Sequence, residues 1–159
     1  MPDITANETV AQRWHLEIFQ DGRLDVADEI LAPGFAFHTP LQEGQGVEGA
    51  KQLATAYRAA FPDLRIEHVD TLAAGDKVAI RWMARATHLG DFEGIPVTGA
   101  RLRLWGIDLF HLHDGKIAEA WIEWDVFGAL RQMGLVSWPV QAAQPGTAAN
   151  VSGSGPSPT

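Results

Sequence analysis

The sequence predicts an α+β domain in which N-terminal helices pack on a strongly curved mixed, mainly antiparallel sheet that encloses a cavity. Three observations lead there. Up to Pro62 the apolar residues recur at helical spacing, with one short strand among them; after Pro62 the period drops to two. Helices first and long strands afterwards is the order of an α+β fold with its helices on one face of the sheet. The chain has 159 residues, 46% of them hydrophobic, which suits one domain with a real core.

Each element has its own signal. Thr5 followed by Glu8 reads as a capping box, and Val10, Ala11, Trp14, Ile18 and Phe19 form a helical stripe that ends at Asp21-Gly22. Asp25 opens a short helix carrying Val26, Ile30 and Leu31, stopped by Pro33-Gly34. Phe35 to Thr39 reads as a strand, and the loop from Leu41 to Gly46 has glycines but no phosphate-binding pattern. Ala50, Leu53, Ala54, Tyr57 and Phe61 mark the buried face of a helix over Val47 to Phe61. Strands follow at Leu64 to Leu72, Val78 to His88, Leu102 to Leu112 and Lys116 to Asp125, then a short helix from Val126 to Met133 with Gly134 behind it. The domain thus spans 1–138, and 139–159, rich in Pro, Gly, Ser and Ala, reads as a disordered tail.

The last two strands hold the densest chemistry. Asp114-Gly115 between alternating runs is a strong hairpin signal. A two-residue turn pairs His113 with Lys116 and Leu112 with Ile117. Uninterrupted counting then pairs Phe110 with Glu119, Asp108 with Trp121 and Gly106 with Glu123. That register gathers Asp108, Glu119, Glu123 and Asp125 on one face with Phe110, Ile117 and Trp121. Carboxyl groups among large apolar side chains fit a lined cavity, where desolvation and mutual repulsion equip them to move protons. The plainer reading is a solvated sheet surface, with Asp125 capping the helix that follows.

Composition narrows the partners. Net charge is −8, from twelve basic and twenty acidic residues, so nothing here forms the basic footprint of a nucleic-acid or anionic-membrane binder. Without cysteine there is no disulfide, thiolate catalysis or Cys-ligated metal. MPDITANETV lacks the basic flank and apolar core of a secretory leader, and no apolar run is long enough to span a membrane, so a cytoplasmic protein is expected. No Gly-x-Ser-x-Gly elbow, P-loop or dinucleotide fingerprint is present. His111 and His113 share a face at a spacing that could offer two metal ligands, with no third in evidence. Arg81 and Arg85 also face together and could steady an oxyanion, though solvated or interface roles suit them better.

The run from Thr87 to Asp125, THLGDFEGIPVTGARLRLWGIDLFHLHDGKIAEAWIEWD, resembles the SnoaL-like polyketide cyclase and ester cyclase group of the NTF2-like superfamily. The matching features are Thr87-His88 with Gly90 and Phe92, Gly94-Ile95-Pro96, Thr98-Gly99, Gly106-Ile107-Asp108 and Phe110, Asp114-Gly115-Lys116-Ile117, Glu119, Trp121 and Asp125. The resemblance implies a cone-shaped domain that works without a cofactor, takes a small hydrophobic molecule, and forms a homodimer or higher homo-oligomer. It implies a general acid/base enzyme that closes a polyketide or keto ester by an intramolecular aldol step. The proton-moving aspartate late in the final strand falls by position on Asp125. A polar partner belongs two residues after Asp108, where this chain has Phe110.

The expected catalytic set is therefore Asp125, Asp108 and His88, with Trp121, Phe110, Glu119, His38, Trp14 and Tyr57 around the substrate. His38 and His88 qualify as histidines beside loops at strand ends, where sites concentrate, although a strand histidine is commonly a hydrogen-bonded structural residue. Trp14 and Phe19 also read as core. A dehydratase, isomerase or epoxide hydrolase would use the same carboxyl-in-a-pocket logic. A non-catalytic domain using the cone for a ligand, or the sheet for a partner, is the alternative.

Overall fold

The computed structural model describes residues 1–139, so all but the first residue of the expected tail lies outside the described residues. Helix α1 (Ile4–Arg13) is capped by Asp3, whose carboxylate accepts from the Ala6 amide at 3.0 Å. The box expected at Thr5 and Glu8 does not form. Thr5 is already inside the helix, where its carbonyl accepts from the Thr9 hydroxyl at 3.0 Å.

The helix then widens into a π-helical segment, Trp14–Gln20. Trp14, His15, Ile18 and Phe19 of this segment are all turned into the interior. The Arg58 guanidinium, reaching across from another helix, donates to the carbonyls of Phe19 and Gln20 and closes the open end.

Helix α2 is Val26–Ile30 and strand β1 is Leu31–His38, so Leu31 and Pro33-Gly34 belong to the strand. The strand tolerates its proline because pairing with its parallel neighbour is interrupted between Leu31 and Ala36. A short strand, β2 (Glu43–Gln45), lies in what reads as a glycine-rich loop, and helix α3 (Gly46–Ala60) follows. Strands β3 (Arg65–Ala74), β4 (Lys77–Thr87), β5 (Arg101–His113) and β6 (Lys116–Trp124) and helix α4 (Val126–Gln132) agree with expectation to within two residues.

The six strands form one mixed sheet in the order β2-β1-β6-β5-β4-β3, with β1 parallel to β6 and every other pair antiparallel. Helices α1 to α3 and the π-helical segment lie against its inner face. There Val78, Ile80, Trp82, Ala84 and Ala86 of β4 alternate with exposed or half-exposed neighbours, as do Leu102, Leu104, Phe110 and Leu112 of β5. No helix among the described residues is long and apolar enough to cross a membrane.

The hairpin turn is as read: Asp114 and Gly115 both take positive φ, 48° and 75°, as a type I′ turn requires. Leu112 pairs with Ile117, but His111 pairs with Glu119, leaving Ala118 as an extra residue in β6. This bulge moves the rest of β6 one step along its partner. Phe110 faces Ala120, Asp108 faces Ile122 and Gly106 faces Trp124. A one-residue slip exchanges the faces of a strand. Glu119, Trp121 and Glu123 therefore lie on the outer face, not beside Asp108.

Candidate active site

A cavity of about 60 Å³ lies between the inner face of the sheet, the π-helical segment and α3. Its wall is mostly apolar: Trp14, Phe19, Leu53, Phe61, Leu64, Ile66, Ala84, Leu104 and Ile122. The polar groups in the lining are Asp108, His15, Thr39, Tyr57 and the indoles of Trp82 and Trp124. Neither lysine nor arginine is among the lining residues.

Asp108 is the centre of this set. It stands in the middle of β5 and is 1% exposed. A carboxylate buried so far needs donors to offset the lost water. It has two: the Trp82 indole N–H donates to Oδ1 at 2.9 Å, and His15 Nε2 lies 2.7 Å from Oδ2. The backbone provides for both bonds. Trp82 sits opposite Gly106 across the β4–β5 pair, and a Cβ at Gly106 would come within 2.6 Å of the Trp82 ring and 2.4 Å of the Glu123 carbonyl oxygen. The bare glycine is what lets the indole lie over the strand and reach Asp108, two residues along the same face.

His15 arrives from the π-helical segment, 4% exposed, and its Nδ1 lies 2.9 Å from His68 Nε2 on β3. Burial, and then the neighbouring His15, hold the pKa of His68 down to about 4. Across the aromatic wall, Tyr57 packs edge-on against Trp124, ring centroids 6.0 Å apart. Burial pushes the Tyr57 phenol well above its ordinary range, so it remains a donor. The Trp124 indole N–H is buried beside the Tyr57 hydroxyl, where it partly offsets that rise, and has no acceptor at full hydrogen-bond geometry. The arrangement offers a supported carboxylate and donor groups in one apolar space, the elements of proton transfer next to a carbonyl.

Of the residues expected at the site, Asp108, Trp14 and Tyr57 line the cavity. Phe110 is fully buried beside it, its ring centroid 6.4 Å from that of Trp14 and 5.7 Å from that of His15, so it supports the wall. His88 is also fully buried but belongs to the loop after β4. Its Nδ1 lies 2.8 Å from the Thr98 hydroxyl and accepts from the Thr98 amide at 3.3 Å, tying down the far end of that loop.

Asp125 stands outside the cavity. Its carboxylate accepts from the Gly128 amide at 2.8 Å and caps α4, because the strand ends at Trp124 and the chain turns there. Trp121 and Glu119, turned outward by the bulge, form a separate group on the outer face with His38 of β1. His38 Nε2 lies 2.8 Å from Glu119 Oε1 and its ring stacks on Trp121. Arg81 and Arg85 share that outer face, where Arg81 pairs with Asp70 at 2.6 Å. His15, Thr39, Trp82 and Trp124 are the polar cavity groups not expected as functional, and His68 joins them from outside the lining through His15; His15 is legible as a polar residue set between Trp14 and Phe19 on the helix stripe.

Comparison with known proteins agrees with the fold. The aklanonic acid methyl ester cyclase of Streptomyces peucetius is 31% identical over 131 residues, covering 78% of this chain and 88% of that protein. The corresponding cyclase of Streptomyces sp. strain C5 is 30% identical, covering 78% and 79%. Among solved structures, a SnoaL-like polyketide cyclase from Jannaschia sp. CCS1 superposes with a TM-score of 0.79 at 26% identity, over 86% of this chain and 97% of that one. An epoxide hydrolase of the LEH-like type from M. tuberculosis shares the fold, with a TM-score of 0.66 at 15% identity over 83% and 92% of the two chains. The family model for SnoaL-like polyketide cyclases matches residues 9–133, nearly the whole described domain, and the chain belongs to that family.

Proposed function

We propose that the protein is a cofactor-independent acid/base enzyme acting on a small, apolar, uncharged keto ester, with Asp108 as the base. One observation carries this reading: an Asp108 carboxyl 1% exposed, facing an apolar cavity and held there by the Trp82 indole N–H and by His15 Nε2. Asp108 takes the proton from a carbon activated by an adjacent carbonyl, forming an enolate. The enolate carbon attacks a second carbonyl of the same molecule, and Asp108 returns a proton to the new alkoxide, completing an aldol closure. Tyr57 and Trp124 donate to the oxygen on which negative charge develops.

The lining also selects. A substrate carboxylate would add a second negative charge next to Asp108 with no cation to offset it, so an ester or ketone is preferred to a free acid. The cavity's size admits the reacting end of a molecule, with wall side chains moving for anything larger. Related names point the same way, since two relatives are called methyl ester cyclases.

The test is turnover, or proton abstraction in D2O, on a panel of small β-keto esters and their free acids. Asp108→Asn keeps the shape and loses the base; the rate should fall about 10³-fold, the scale of a general base. Esters should react and their acids should not. Full activity in Asp108→Asn would refute the assignment.

A further inference from the structure

Asp108 is joined to more than the cavity. His15 Nε2 lies 2.7 Å from Asp108 Oδ2, and His15 Nδ1 lies 2.9 Å from His68 Nε2. Asp108 and His15 are buried, whereas His68 is only half-buried, on the edge strand β3. Its remaining nitrogen, Nδ1, has no protein partner among the described residues and is not among the buried polar atoms that lack one, so it meets solvent. We propose that Asp108, His15 and His68 form a proton relay between the cavity and bulk water, a role that rests on the reading of Asp108 as the base.

The hydrogen bonding itself argues for passage in both directions. The Trp82 indole can only donate, so Asp108 Oδ1 accepts whatever happens at Oδ2. In one arrangement His68 Nε2–H donates to His15 Nδ1, and His15 Nε2–H donates to the carboxylate. In the other, a protonated Asp108 donates to His15 Nε2, and His15 Nδ1–H donates to His68 Nε2. Every bond survives the exchange and no ring has to turn. A purely structural pair would have its outer nitrogen held by a fixed donor or acceptor; water at His68 Nδ1 can serve as either. The low pKa of His68 keeps it neutral, with one N–H and one lone pair, as a relay requires.

The protons balance as follows. Asp108, having taken the substrate proton, passes a proton to the reacting anion. In concert His15 gives its Nε2 proton to Asp108 Oδ2, His68 gives its Nε2 proton to His15 Nδ1, and water supplies a proton to His68 Nδ1. The incoming charge neutralises the substrate anion. Asp108, again protonated, then returns its proton along the same path in reverse to the hydroxide left in the water, restoring the carboxylate and the starting tautomers.

The coupling is testable without any substrate. In Asp108→Asn the amide oxygen keeps the Trp82 donor, so the amide NH2 faces His15 Nε2 and makes it an acceptor. His15 must then carry its proton on Nδ1 and donate to His68 Nε2, moving the His68 proton to Nδ1 as well. Long-range ¹H–¹⁵N spectra at neutral pH should show both rings protonated on Nε2 in the wild type and on Nδ1 in the variant. A change at His15 that leaves His68 unmoved, or no change at either ring, overturns the relay.

A second measurement follows deuterium entry from D2O into ethyl 2-methylacetoacetate. His68→Ala should slow it about tenfold, and added imidazole should restore it. Uptake at the wild-type rate, or a loss that imidazole does not repair, also overturns the proposal. Unchanged uptake in Asp108→Asn would instead remove Asp108 as the base, a failure that the spectra distinguish from failure of the relay.

Discussion

The two faces of the sheet each carry a histidine paired with a carboxylate, and the contrast between the pairs explains where function resides. Inside, His15 and Asp108 meet at 2.7 Å, both almost wholly removed from water. Outside, His38 and Glu119 meet at 2.8 Å, but their side chains remain 30% and 37% exposed. Equal geometry does not give equal chemistry. Water screens the outer pair, so it acts as a modest surface tie between β1 and β6. The inner pair has no competing solvent, so each bond it makes is strong and each bond removed is costly. An acid/base group must be held in a chosen state until substrate arrives, and only the inner face can do that.

The comparison is broken most sharply by substitutions on either side of it. Asp108→Asn should cut turnover about 10³-fold while leaving the fold in place. Glu119→Gln, the equivalent change outside, should leave turnover within about twofold, as expected of a surface pair. Steady-state kinetics on one keto ester, with circular dichroism as the folding control, decides between them. If Glu119→Gln proved as damaging as Asp108→Asn, the two faces would not differ in the way argued.

Next in size is Gly106→Ala, which keeps every polar group and removes only the room in which Trp82 lies. With 2.4 Å to the Glu123 carbonyl and 2.6 Å to the indole, the new methyl must displace one of them. The expected cost is about 2 kcal/mol of stability, typical of overpacking, seen as a lower denaturant midpoint. Activity should fall further than stability alone explains, because the displaced indole loses Asp108.

Asp125→Ala is smaller again. It removes the bond to the Gly128 amide and should cost about 1 kcal/mol, as helix caps do, with turnover retained by the folded enzyme. Lost turnover at full stability would return the proton-moving role to Asp125.

These cases also show what the sequence could and could not say. The helices-then-strands order, the hairpin turn and the inner face of β4 were readable because period and turn chemistry are local. The bulge at Ala118 was not read, yet it left a trace. Ile117 and Ile122 are five residues apart, an odd separation that cannot share a face in a regular strand, and both are buried. Taking the apolar pattern rather than the turn as the guide to register would have turned Trp121 and Glu119 outward. His15 was concealed differently. At about 100° per residue it falls between Trp14 and Phe19 on the helical wheel, inside the buried arc, so a polar residue there needed a partner. That the partners are Asp108, 93 residues away, and His68 depends on how β3 and β5 are brought together, which no local pattern contains.

The outer pair supplies the smallest effect and the one whose sign is easiest to mistake. Glu119 holds the pKa of His38 above its ordinary 6.5, against the opposing effect of burial and with a smaller contribution from Glu43. A base whose pKa is raised on folding binds its proton more tightly in the native state. Its contribution is complete below the unfolded value near 6.5 and is lost as pH rises through the raised native value. Stability should therefore decline as pH rises from the ordinary 6.5 through the raised native value, by about 0.5 kcal/mol given the exposure of both partners. Urea midpoints measured at about pH 6 and about pH 9, in wild type and in Glu119→Gln, isolate the effect, since the variant should lack that increment of decline. A decline toward acid confined to the wild type would mean that His38 is held neutral. The outer pair would then resemble the inner one, and exposure would not be what separates the two faces.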